Sequence, residues 1–231
     1  MSLSKTKLLV SGCGITYGNQ EVKTWVNILK SIGVDIVDVA GPAVSNQWIL
    51  NQAILQLYKD PTIKKAVIQL TSLGKLDVTV DEERFDTLVA PDSKRNFILG
   101  NVWPSSCSIE HESKALWRKW LSSPKLEQQD IKVKLLLLAD YCDTHNIDCV
   151  IVQGYNLHWS VNDLKKLTTI ISDIESNIIN DYQNSQWYNP EDTQEIPVLG
   201  YQLQLAETFC SALTPEFSQR LEKIKSQYFK N

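Results

Sequence analysis

Histidine is scarce in this sequence: His111, His145 and His158 are the only three among 231 residues, so none follows position 158. A histidine base near the C-terminus is thereby excluded. No apolar run approaches the roughly 20 residues that a membrane-spanning helix needs, so no membrane partner is expected. The five cysteines, Cys13, Cys107, Cys142, Cys149 and Cys210, are odd in number and widely spread, with no Cys-x-x-Cys pair. That pattern excludes a structural zinc site and reads as reduced, mostly buried thiols of a cytosolic compartment. The 23 basic residues are scattered and outnumbered by 27 acidic ones. Nucleic-acid proteins concentrate positive charge, so no nucleic-acid partner is expected. The apolar run that precedes Ser11 is too short for a signal-peptide core, and a cytoplasmic location is expected. No internal repeat or low-complexity segment stands out.

What is present is a core-forming chain, 43% hydrophobic, with strand and helix signals in alternation. Leu8-Leu9-Val10 reads as a short buried strand that runs into the glycine-rich turn Gly12-Cys13-Gly14-Ile15-Thr16-Tyr17-Gly18. Val22, Trp25, Val26, Leu29 and Ile32 then recur three and four apart, as on one face of a helix that stops at Gly33. Ile36, Val37 and Val39 form a second strand that ends at Ala40-Gly41-Pro42. Ser45 or Asn46 caps a helix with the stripe Leu50, Ala53, Ile54, Leu57 and Tyr58, ended by Asp60-Pro61. Ala66 to Leu70 is a third strand. Residues 71–112 lack a period and read as an irregular insertion, with one short hairpin around Phe97-Ile98-Leu99, that helps to form a site or lid.

Alternation resumes with a helix face of Ile131, Leu135, Leu138, Ala139 and Cys142, followed by a fourth strand, Cys149 to Val152. Leu164, Leu167, Ile171, Ile174 and Ile178 predict another helix, and a fifth strand is expected near Ser185 to Tyr188. Leu199, Leu203, Ala206, Cys210 and Leu213 predict a further helix. Thr214-Pro215 opens a terminal one with Phe217, Leu221, Ile224 and Tyr228 inward. Short buried strands between amphipathic helices define a single α/β domain over residues 1–231, a three-layer α/β/α arrangement with a mainly parallel five-stranded sheet, flavodoxin-like in kind. In such sheets ligands bind beyond the carboxyl ends of the strands, at the switch point of strand order. The candidate cleft residues are therefore Ser11, Gly12, Cys13, Gly14 and Thr16 after the first strand, and Gly41, Ser45 and Asn46 after the second. Thr71 and Ser72 follow the third strand and His158 the fourth.

These segments resemble the SGNH/GDSL hydrolases, in particular the small SGNH-like proteins of phages and bacteria. Ser11-Gly12-Cys13-Gly14-Ile15-Thr16-Tyr17-Gly18 is similar to the family's first block, and Val37 to Asn46 to the second, whose glycine lends an N–H to the oxyanion hole. Val67-Ile68-Gln69-Leu70-Thr71-Ser72 takes the place of the third block, and Asp192 to Tyr201 resembles the last. The resemblance implies an acyl-ester hydrolase fold, yet its catalytic positions are altered. Gly14 stands at the nucleophilic serine, Leu73 at the oxyanion asparagine and Ile196 at the histidine before proline. Without nucleophile and base the covalent route is closed. What the resemblance then implies is a degenerate esterase of a bacterial or phage-infected cell. It would bind a small polar or anionic ligand, or a partner, at the former cleft, with no cofactor and no metal.

Two alternatives stay open. One is an active ester hydrolase with a rearranged site, in which Cys13 or His158 would serve. Cys13 precedes the serine position, however, and reads as a packed thiol, while His158 beside Trp159 reads as a packed or surface residue. The other takes Gly12-x-Gly14-x-x-x-Gly18 as a dinucleotide fingerprint, with Asp38 as the ribose-binding acid. Ser11, Thr16, Ser45 and Asn46 also have ordinary structural uses as turn and cap residues. The tryptophans Trp103, Trp117, Trp120, Trp159 and Trp187 lie outside the family blocks and read first as packing residues.

Overall fold

Leu8, Leu9 and Val10 are each at most 1% exposed, as in a strand covered on both faces. They belong to a computed structural model that describes residues 7–17, 23–41, 44–73, 77–79, 102–104, 123–154, 171–172, 178–186, 199–211 and 215–228. Its first elements are β1 (Lys7–Ser11), α1 (Trp25–Ser31), β2 (Ile36–Asp38), α2 (Asn46–Lys59) and β3 (Ile63–Leu70). Next come β4 (Asp77–Thr79), β5 (Val102–Pro104), α3 (Pro124–His145), β6 (Asp148–Gln153) and β7 (Ile171–Ser172). The last are α4 (Ile178–Gln183), α5 (Leu199–Ser211) and α6 (Pro215–Tyr228).

The chain is an α/β protein built on a parallel sheet. β2, β1, β3 and β6 lie side by side in that order, and every neighbouring pair is parallel. The register sets Val10 beside Val67, and Val67 beside Val150. The two-residue β7 pairs parallel outside β6. From β1 the chain moves to one side, to β2, and then crosses back to β3 on the other. The order of strands therefore reverses at β1 and β3, whose carboxyl ends flank the switch point. This order is compatible with a flavodoxin-like sheet.

Alternation along the strands divides the core between two clusters. Leu9, Ala66, Ile68, Leu70, Cys149 and Ile151 pack with α2 and α3, through Ile49, Leu50, Ala53 and Leu57 and through Ile131, Leu135 and Leu138. Leu8, Val10, Val67 and Val152 pack with Trp25, Val26 and Leu29 of α1, and with Tyr182, Tyr201, Ala206 and Leu221 of α4 to α6. Each fully buried leucine or isoleucine contributes about 1.5–3 kcal/mol by leaving water. The helix ends follow local chemistry. Ser45 caps α2 by accepting from Trp48 N at 3.1 Å. α3 opens with Pro124 behind the cap Ser123 and closes on Asn146 in the left-handed region, φ 52°. Gly33 takes φ 92° just beyond α1, a conformation that needs no Cβ.

Three expectations meet a different structure. Ile171 falls in β7 rather than in a helix, because the run Thr168-Thr169-Ile170-Ile171 is rich in β-branched residues, which favour strands. Ser185, in the expected fifth strand, lies in the turn after α4, its N–H donating to Tyr182 O at 3.0 Å; Trp187 and Tyr188 lie outside the described residues. In the 71–112 insertion an antiparallel ladder joins β4 to β5, Val78 opposite Trp103; the hairpin expected around Phe97 to Leu99 lies outside the described residues. Tyr58, placed on the buried stripe of α2, is 76% exposed while Leu57 is 1% exposed. Leu50, Ala53 and Leu57 centre the buried arc of α2, and Tyr58, about 100° further round from Leu57, falls outside it. Residues 105–122, with Trp117 and Trp120, are outside the described residues, as are Val22, Leu164 and Leu167.

One ion pair ties the start of the sheet to the end of α2. Lys7 Nζ donates to Asp60 Oδ2 at 2.8 Å, and Asp60 Oδ1 accepts from Thr62 N at 3.0 Å. These hydrogen bonds, that from Lys7 foremost, hold the Asp60 carboxyl below its ordinary 3.8, at about 2. A lowered carboxyl pKa stabilises the fold above the unfolded value and ceases to do so as pH falls through the folded one. The Asp60→Asn variant is expected to unfold more easily than the parent at pH 7, and the difference should close as pH falls from about 4 to about 2. Urea midpoints measured across that range check this.

Candidate functional site

Beyond β1 the chain makes a tight turn in which Cys13 O accepts from both Thr16 N and Tyr17 N, each at 2.8 Å. Beneath the turn lies Gln69, a fully buried carboxamide in the otherwise apolar second half of β3, Ala66 to Leu70. Its Oε1 accepts from Thr16 Oγ1 at 2.8 Å and from Cys13 N at 3.3 Å. Its Nε2 donates to Leu70 O at 2.9 Å and to Cys13 Sγ at 3.1 Å. Two glycines make room for it. A Cβ on Gly12 would come within 2.7 Å of Thr16 Oγ1 and 3.0 Å of Gln69 Oε1, and one on Gly154 would overlap Gln69 Nε2. Gly154 N also donates to Leu70 O at 2.7 Å, so the ends of β1, β3 and β6 meet around one side chain.

The loops after β2 and β3 join the same edge. Asn46, the first residue of α2 and fully buried, receives Thr71 N on Oδ1 at 2.7 Å and donates Nδ2 to Thr71 O at 2.9 Å. Ser11 Oγ donates to Ile49 O at 2.9 Å. Gly41 N donates to Gly12 O at 3.0 Å. Thr24, just before α1, donates its hydroxyl to Thr16 O at 2.9 Å.

The carboxyl edge thus gathers Ser11 to Thr16, Gly41, Ser45, Asn46, Thr71 and Ser72, although most of their polar groups face inward. Ser11, Thr16, Ser45 and Asn46 are at most 2% exposed, and each bonds within the fold. Gly41 does not offer its N–H to an oxyanion, because the Gly12 carbonyl already accepts it. Gly14 is different. It is half-buried, a Cβ built on it meets nothing within 4 Å, and its backbone is not in the left-handed region. The N–H groups of Gly14 and Ile15 find no acceptor among the described residues. Leu73 packs against the α2–α3 cluster. His158, Ile196 and Asp192 lie outside the described residues.

Cys13 is 1% exposed and buried beneath the turn, the packed thiol that the sequence suggested. Cys142 and Cys149 are likewise buried and free. The hydrogen bond between them, together with burial, holds the Cys149 thiol well above its ordinary range, while the same bond lowers Cys142. A dinucleotide fingerprint needs its glycines at a helix entrance, whereas α1 begins only at Trp25. Asp38 is engaged by Lys30 Nζ at 2.7 Å and by Ala40 N at 3.0 Å. Among the described residues no group of three or more His, Cys, Asp and Glu side chains is placed to hold a metal ion, and no helix is long and apolar enough to cross a membrane.

Gln69 escaped the sequence reading as anything more than a strand residue. Its signal was a lone carboxamide in Ala66-Val67-Ile68-Gln69-Leu70, since a polar group in a strand buried on both faces must find partners. Compared with protein-family models and with curated proteins, the chain matches none.

Replacing Gln69 by Leu leaves the Cys13 N–H and the Thr16 hydroxyl buried without an acceptor, and is expected to cost about 2–5 kcal/mol. Gly12→Ala forces the Thr16 contact and should cost about 1–3 kcal/mol. Gly14→Ala should stay within about 0.5 kcal/mol of the parent. Urea denaturation of the three variants tests this ranking. In the native protein Cys13, Cys142 and Cys149 should resist iodoacetamide until urea unfolds the chain, as read by peptide mass spectrometry.

Proposed function

We propose that the chain is an SGNH/GDSL-hydrolase-like protein of three-layer, flavodoxin-like architecture. Its esterase machinery has been lost, and the turn at the switch point binds a small polar or anionic ligand. The observation that carries this reading is the environment of Gly14. The family's nucleophile position is open above the turn, free of steric obstruction, and bordered by two backbone N–H groups with no acceptor among the described residues. Such N–H groups favour an anion or a carbonyl oxygen. The surrounding chemistry agrees with ligand binding rather than turnover. Gly14 has no hydroxyl, Leu73 has no side-chain amide to donate, and Ile196 has no imidazole.

The enzyme alternative needs a substitute nucleophile. Cys13 is the nearest, and its sulfur lies beneath the turn against Gln69 rather than above it. No hydrolysis of short p-nitrophenyl esters above the buffer rate is therefore expected, since general acid–base assistance alone is worth about 10²–10⁴-fold. Turnover that disappears in Cys13→Ala would overturn the proposal. Titration with acetate, sulfate or phosphate should shift the Gly14 and Ile15 amide resonances and leave that of Gly41 in place. Gly14→Ser should give at most weak activity for want of a base, and Gly14→Ser with Ile196→His should give more. Unmoved Gly14 and Ile15 resonances at saturating anion would sink the ligand assignment.

A further inference from the structure

Helix α3 is apolar on two sides. Ile131, Leu135, Leu138, Ala139 and Cys142 are at most 2% exposed against the sheet. On the outward side Leu126 is 65% exposed, Val133 55%, Leu136 38% and Leu137 59%. These four recur along the line that an amphipathic helix reserves for polar residues. Beside it, α2 presents Leu55 and Tyr58, 49% and 76% exposed. The two helices run parallel and are fastened at both ends, by Gln47 Nε2 to Asp130 Oδ2 and by Tyr141 Oη to Leu57 O at 3.2 Å. Together they form one continuous outer face that carries six large apolar side chains.

We propose that this face binds a second copy of the chain, as a two-fold dimer in which the two α3 helices cross antiparallel. Size and charge both favour that occupant. With 22 residues in α3 and 14 in α2, the face is about 30 Å by 20 Å, roughly 600 Å². A standard interface buries about 800 Å² per partner, so the patch with its rim is of the right extent for a dimer of moderate strength. The charges of α3 are unevenly divided. Lys125, Lys132 and Lys134 lie in its first half with Glu127 and Asp130, whereas Asp140 and Asp143 lie in its second. An antiparallel crossing centred between Val133 and Leu137 sets the basic half of each copy against the acidic half of the other. It brings Leu126 near Thr144 and Lys125 near Asp143, and it opposes the two helix dipoles favourably. Asp130, the acid nearest to Asp140 in that crossing, is balanced on its own copy by Lys134 at 3.4 Å. A two-fold contact closes on itself, so association stops at two copies.

Sedimentation equilibrium on the full chain tests this. At about 100 µM a dimer of micromolar Kd is almost fully formed, and the mass should be twice the 26.3 kDa of one chain. Val133→Glu and Leu137→Glu alter only exposed positions. Each should give a monomer with an unchanged circular dichroism spectrum, and with the parent's urea midpoint when both are measured well below the dimer Kd, where association no longer adds stability. Lys125→Asp should weaken the dimer about tenfold, because the pair occurs twice in a two-fold interface, and adding Asp143→Lys should restore it. A monomer at about 100 µM, an assembly larger than two, or a dimer indifferent to both glutamates would overturn the proposal. Failure of the double reversal to restore association would overturn the antiparallel crossing.

Discussion

A carboxamide buried at the end of a parallel sheet has a donor and an acceptor side to satisfy, with no water at hand. Gln69 satisfies both by taking hold of three segments: its own strand through Leu70, the turn after β1 through Cys13 and Thr16, and, by contact, Gly154 at the end of β6. In that low-dielectric position each bond is stronger than in water, and each missing partner costs more. The shape of the turn is in this sense dictated from below. Gly12 must lack a side chain, Thr16 must aim its hydroxyl down, and Cys13 must lie inside. What remains outside is Gly14.

The same logic runs along the whole carboxyl edge. Parallel strands end with backbone groups that no further ladder satisfies, and here side chains complete them. Asn46 acts toward Thr71 as a further peptide group would, giving and receiving one hydrogen bond. Ser11 donates its hydroxyl to the Ile49 carbonyl, and the Gly12 backbone carbonyl accepts from Gly41 N. The polar residues that mark this edge in the sequence are therefore mostly mortar between β1, β3 and α2. A site so braced is rigid, which suits recognition by backbone N–H groups whose position cannot adjust.

Much of the architecture was readable in the sequence where period and length agreed. Leu8 to Val10, Ala66 to Leu70 and Cys149 to Val152 are apolar runs too short for helices, and all three are strands. Ile131, Leu135, Leu138, Ala139 and Cys142, predicted as one face, are all buried on α3. Ile171 was misread because a spacing of three and four, unsupported by caps, also arises by chance in a β-branched run. Tyr58 was misread because a stripe written as a list of apolar residues ignores which side of the arc each occupies. The candidate site was legible only as a place. Ser45, Asn46 and Thr16 are suitable for ligands and for caps alike, and only the geometry reveals that each has a partner within the fold. Gln69 was passed over because its strand looked complete without it.

The crossover from Leu70 to Asp148 carries the β4–β5 ladder and α3 between two strands that are neighbours in the sheet. Joining β3 to β6 across so many residues looks demanding, yet closure entropy grows only with the logarithm of length, about 0.6 kcal/mol for each doubling. The connections from β1 to β2 and from β2 to β3 have less latitude, since the turn after β1 and the first residue of α2 are bonded into the carboxyl edge through Thr16 and Asn46. Length can therefore be gained or lost within this crossover while the registers of β1, β2 and β3 stay as they are. For a sheet whose carboxyl edge is braced chiefly by its first three strands, that makes the crossover the natural place for new sequence to arrive.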